Sequence, residues 1–123
     1  MKRARIGFLV VATAVGLIGL ACGKKSPTAP PVTAADVVIQ ITGINGSSSF
    51  SPNPASVKMG QTVSWRNQDA LTHSATPDGI GFTSVDVGPG STSAPQTITV
   101  SVADYGYHCR FHGGMVGTLR VIP

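Results

Sequence analysis

The sequence predicts an all-β fold, a Greek-key β-sandwich, and three observations predict it. Apolar residues recur at period two: Val37, Ile39 and Ile41 alternate with Val38, Gln40 and Thr42, Val63 and Trp65 with Ser64 and Arg66, and Ile98, Val100 and Val102 with Thr97, Thr99 and Ser101. That is the pattern of half-buried strands. Turn-forming clusters separate the runs, at residues 43–49, 51–54, 77–79 and 88–90, where Gly, Pro, Asn, Asp and Ser set the chain's direction. No segment carries the 3.6-residue apolar period of an amphipathic helix. Short strands at this spacing, in a chain of 123 residues, suit a sandwich of the size that folds alone.

In chain order, the first element is not part of that sandwich. Lys2, Arg3 and Arg5 precede an almost unbroken apolar stretch over residues 6–21. It is shorter than the roughly 20 residues a spanning helix prefers, so residues 1–21 read as a cleaved export signal. Leu20-Ala21-Cys22-Gly23 resembles a bacterial lipobox, with Gly19 where that pattern usually has leucine. Cys22 is therefore expected to carry lipid and to anchor the protein on a membrane, facing the periplasm or the cell exterior. An ordinary secreted protein and an uncleaved membrane tether are the alternatives.

Residues 22–35 contain Lys24, Lys25, Pro27, Pro30 and Pro31 and lack apolar periodicity. They read as a tether whose prolines favour an extended form, about 40 Å long at roughly 3.1 Å per residue. The folded domain is expected over residues 36–123. The formal charge of +4 shrinks once the signal is removed: six basic residues then face five acidic ones. Too little positive charge remains for a nucleic-acid surface. A lipidated Cys22 also leaves Cys109 as the only free thiol of the mature chain.

The run from Tyr105 to Gly117 carries the chemistry. Cys109, His112 and Met115 follow one another at spacings of three, and a thiolate, an imidazole and a thioether all bind soft metals. With a second imidazole from elsewhere they make a His2Cys trigonal set with a weak axial Met, the signature of a blue-copper electron-transfer centre. Gly113 and Gly114 permit the turn that brings the three around one ion. Alone, Cys109 reads as an inert buried thiol, Met115 as a core filler and His112 as a surface residue; their joint spacing overturns those readings. Alternation puts Tyr105, Tyr107 and Cys109 on one face of the strand and Gly106, His108 and Arg110 on the other. His108 should point away from the metal, and Trp65 reads as core.

Cys109-x-x-His112-x-x-Met115 followed by Val116-Gly117 and preceded by Tyr105-Gly-Tyr-His108 resembles the metal loop of the cupredoxins, the small blue-copper proteins that include plastocyanin, pseudoazurin and amicyanin. The short loop is most similar to amicyanin. Upstream, Phe50-x-Pro52, Val57-x-x-Gly60, Val63-x-Trp65-x-Asn67-x-Asp69 and His73 are similar to the family's approach to its first histidine ligand. The resemblance implies one type 1 copper per chain, with His73 in the loop after the Trp65 strand as second imidazole, bound through the nitrogen nearer the backbone. It implies electron passage through the exposed edge of His112, inside an apolar docking patch for redox partners to which Phe111, and Met59 or Ile80, are candidates. Arg110 would add positive charge there, a solvated surface side chain being the commoner reading of such a residue. Tyr105 resembles the tyrosine corner of Greek-key sandwiches. Gly113 stands where relatives commonly have proline, which implies a His112 able to leave Cu(I) and protonate at mildly acidic pH.

The function so implied is a type 1 copper electron-transfer protein cycling Cu(I)/Cu(II) between partners outside the cytoplasm; periplasmic copper binding and delivery on the same fold is the alternative. A copper enzyme is not expected. Nitrite reductases and oxidases need histidines for a second copper centre, and the chain has only His73, His108 and His112. A binuclear site would need two cysteines in one loop, where only Cys109 is found. No small-molecule substrate is expected, and a monomer suffices.

Overall fold

A computed structural model describes residues 34–123; the expected signal, Cys22 and nearly all of the tether lie outside the described residues. Nine strands follow one another: β1 (Val37–Ile41), β2 (Phe50–Ser51), β3 (Ala55–Lys58), β4 (Thr62–Asn67), β5 (His73–Pro77), β6 (Val85–Val87), β7 (Gln96–Thr97), β8 (Asp104–His108) and β9 (Val116–Ile122). One 3-10 turn, Gly46–Ser48, is the only helical element among the described residues.

The strands form two mixed sheets, ordered β2-β1-β4-β7 and β3-β9-β8-β5-β6. β1 runs parallel to β4, with Ile39 opposite Trp65, and β3 runs parallel to β9. Period-two alternation sends Ile39, Ile41, Val63 and Trp65 inward from the first sheet. Val57, Ala75, Tyr107, Leu119 and Val121 meet them from the second, all at most 1% exposed. Burying each large side chain contributes roughly 1.5–3 kcal/mol, and the aromatic ones add preferred geometry. Tyr107 sits edge-on to Phe50 at 4.8 Å and to Trp65 at 5.9 Å, and Trp65 lies 4.6 Å from Phe82. Across the β8/β9 ladder Tyr107 faces Gly117. A Cβ on Gly117 would lie 2.3 Å from Tyr107 Cζ, so the ring occupies the space that any other residue would need. The Tyr105 hydroxyl donates to the Ser101 carbonyl at 2.9 Å, tying the strand to the connection before it.

The alternation over residues 97–102 does not make a strand of that length. Only Gln96–Thr97 joins the ladder, opposite Thr62 and Val63. Ile98 still exchanges backbone bonds with the turn between β3 and β4, through Gly60 N–H to Ile98 O at 2.7 Å and Ile98 N–H to Gln61 O at 2.9 Å. Beyond it the facing chain has passed the start of β4 and turned away, so Val100 and Val102 find no partner backbone, and Val102 is exposed.

Candidate metal centre

Two strand junctions bring the donors together. His73 is the first residue of β5 rather than a loop residue, and it follows the turn that leaves β4. β5 pairs antiparallel with β8, Thr76 opposite His108, so the start of β5 lies beside the chain that leaves β8. The Ser74 N–H points at Cys109 Sγ at 3.3 Å, and the Ser74 hydroxyl accepts from the Arg110 N–H at 2.9 Å. The register of one sheet thus sets His73 against Cys109.

The loop then turns back on itself. Cys109 N–H donates to Met115 O at 3.0 Å and Met115 N–H to His112 O at 3.4 Å. Gly114 has φ +86°, the left-handed region where glycine alone is unstrained; Gly113 is not in that region. Met115 is fully buried where the loop closes.

Cys109 Sγ lies 3.8 Å from His73 Nδ1 and 3.7 Å from His112 Nδ1, and the two nitrogens are 3.1 Å apart. The point equidistant from all three is about 2.1 Å from each, close to the 2.0–2.3 Å of bonds from imidazole and thiolate to first-row ions. His73 and Cys109 are buried, whereas His112 is partly exposed.

Protonation suits the same purpose. His73 Nε2 meets Asp69 Oδ2 at 2.8 Å; a carboxylate only accepts, so Nε2 carries the proton and Nδ1 presents its lone pair to the cluster. Asp69 is itself fixed: its N–H donates to Asn67 Oδ1 at 2.9 Å and its Oδ1 accepts from the Ala70 N–H at 2.7 Å. The buried Asn67 donates in turn to Leu71 O and Val87 O. The His73 hydrogen bond, with that of Ala70, holds the Asp69 carboxyl below its usual range. Burial alone would push the Cys109 thiol up, but hydrogen bonds, led by that from the Ser74 N–H, outweigh it and bring the thiol down to about 6. A ready thiolate beside two imidazole Nδ1 atoms is a soft-metal donor set, and its size fits one type 1 copper ion.

His108 stands outside the cluster, half-exposed on the other face and bonded through Nδ1 to Asp78. Among the expected docking residues, Phe111 adjoins His112, ring centroids 6.5 Å apart, and is 48% exposed. Met59 and Ile80 are exposed but belong to the opposite end. Met59 follows Lys58, which pairs with Ile122 at the far end of β9, and Ile80 lies beyond Pro77, the far end of β5. Arg110 is ion-paired with Asp86 and stacks 4.9 Å over the Phe111 ring. Its charge is largely answered within the molecule. Sequence reasoning gave Asp69 no role of its own; its spacing of four before His73 was the available signal.

No family model matches the chain. It is 28% identical over 120 residues to a chloroplastic plastocyanin of Hordeum vulgare, covering 80% of this chain and 77% of that protein. Among solved structures, a purple cupredoxin from Nitrosopumilus maritimus has the same fold, with a TM-score of 0.58, 23% identity and coverage of 71% of this chain and all of the other. A Cu(I) amicyanin variant matches with a TM-score of 0.55 and 22% identity over 73% of this chain and 87% of its own. A copper-containing nitrite reductase from Thermus scotoductus also matches, at TM-score 0.57 and 26% identity over 80% of this chain, though over only 25% of the reductase. The chain has the cupredoxin fold, and the fold, the plastocyanin relatives and the His73-Cys109-His112 cluster together support a cupredoxin.

Proposed function

We propose that the protein is a one-electron carrier, exchanging electrons with redox proteins that dock around His112. The observation that carries this reading is the buried triangle of donors with one imidazole reaching the surface. His73 Nδ1, His112 Nδ1 and Cys109 Sγ would hold the ion, with the Met115 thioether as a weaker fourth donor. Bound copper supplies the chemistry, a single-electron change between Cu(I) and Cu(II). The chain's own residues do the rest. The β5/β8 ladder and the bond from Cys109 to Met115 hold the donors in one arrangement, so little rearrangement accompanies a change of charge. A thiolate with two neutral imidazoles keeps the buried charge near zero or +1. Packing excludes water from His73 and Cys109, leaving the edge of His112, with Phe111 beside it, as the contact for a partner.

The N-terminal pattern supports export, removal of residues 1–21 and lipidation at Cys22, with the domain working as a monomer at the outer face of a membrane. The nitrite reductase likeness does not extend to a catalytic reading: the one remaining histidine, His108, is engaged by Asp78.

Titration of the copper-free protein with Cu(II) tests the reading. One equivalent is expected to give an intense thiolate-to-copper band in the orange-red and a reversible one-electron wave in voltammetry. Cys109→Ser should abolish the band and leave the circular dichroism of a folded sandwich. Absence of the band in the wild type overturns the proposal. A wild type that binds Cu(I) tightly, passes it to an apo acceptor and gives no reversible wave is a copper-delivery protein instead.

A further inference from the structure

We infer that Asp69 is a positioning residue that sets the electronic character of His73, fixing its tautomer and biasing the bound ion towards the oxidised state; this rests on the copper reading above. The two imidazoles of the cluster are not equivalent. His73 is fully buried and hydrogen-bonds through Nε2 to the Asp69 carboxylate at 2.8 Å, whereas no carboxylate bonds His112 among the described residues.

The contact is built rather than incidental. Asp69 reaches His73 from the turn between β4 and β5, and that turn is held at both ends by Asn67. The Asn67 Oδ1 accepts the Asp69 N–H, and its Nδ2 donates to Leu71 O at 2.7 Å and Val87 O at 2.9 Å. Gly43 packs over the carboxylate; a Cβ there would lie 3.5 Å from Asp69 Oδ2. Asn67 orients Asp69, Asp69 orients His73, and His73 presents Nδ1 to the thiol and to His112.

Two effects follow. A proton held at Nε2 leaves the Nδ1 lone pair permanently available, so the site is preorganised before metal arrives. A negative charge hydrogen-bonded to the far nitrogen also makes the imidazole a stronger donor, which favours the more highly charged ion. Asp69 therefore raises affinity for Cu(II) more than for Cu(I), lowering the reduction potential. Outer partners of this kind typically change metal affinity 10–100-fold. The 26% exposure of the Asp69 side chain screens its charge and argues for the lower figure, about tenfold.

Asp69→Asn keeps an acceptor for the Nε2 proton and removes the charge. The copper-loaded variant is expected to retain the orange-red band while its Cu(II) over Cu(I) preference falls about tenfold, a rise of about 59 mV for a one-electron couple. Asp69→Glu should recover most of that shift. In the copper-free protein, nitrogen-15 NMR should find His73 protonated at Nε2, and Asp69→Ala should scramble the tautomer with little change in melting temperature. An unchanged potential in Asp69→Asn, or an unchanged tautomer in Asp69→Ala, overturns the inference. The NMR arm needs no copper, so it decides the tautomer claim even where a colourless wild type has overturned the copper reading.

Discussion

The Cys109 thiol sits where burial and hydrogen bonding oppose each other. Burial disfavours the thiolate; hydrogen bonds, led by that from the Ser74 N–H, favour it and prevail, taking the group from an ordinary 9.0 to about 6. Between those values the unfolded chain binds a proton that the folded chain has released, so stability of the copper-free domain rises with pH across that window. The contribution is complete above 9.0 and is lost as pH falls through about 6. Thiolate absorbance in the ultraviolet is expected to titrate near 6 in the folded protein and near 9.0 in denaturant, with the denaturation midpoint climbing between the two. A folded-state titration that stays near the ordinary value would show that the donors do not prevail.

At the scale of elements, the β8/β9 ladder holds both the core and the site, because Tyr107 lies two residues before Cys109 and faces Gly117. A methyl group at Gly117 would overlap the phenol ring, which Phe50, Trp65 and Phe82 enclose. Overpacking typically costs about 1–3 kcal/mol. Gly117→Ala is expected to lose stability in that range, measured by denaturant unfolding of the copper-free domain, and Tyr107→Phe in the same background should not restore it, because the clash is with the ring. The β1 and β4 strands were legible in the sequence from alternation alone, as was the burial of Trp65. The stretch from Ile98 to Val102 misled, since period two records which faces are apolar but not whether a partner strand is still alongside. Parallel pairing of β1 with β4 and β3 with β9 left no local signal, because it joins residues about 26 and 64 positions apart. His73 and Cys109 were recognisable by motif, yet the contact of Asp69 with His73 needed the turn geometry that Asn67 sets. The far placement of Met59 and Ile80 needed the strand directions.

For the whole molecule, the two sheets enclose one core and gather the donors at one end, where the starts of β5 and β9 meet the end of β8. The sandwich acts as a rigid holder and the loop of residues 109–115 as the instrument, joined by the bonds of Ser74 to Cys109 and Arg110. This division of labour makes the central claim local and testable: one copper, held between residues from two separate strand junctions. The most direct measurement is a crystal structure of the copper-loaded protein with anomalous data collected at the copper edge. One peak per chain is expected, bonded to Nδ1 of His73, Nδ1 of His112 and Sγ of Cys109; a peak elsewhere, or one lacking His73 or Cys109 as a ligand, would contradict it.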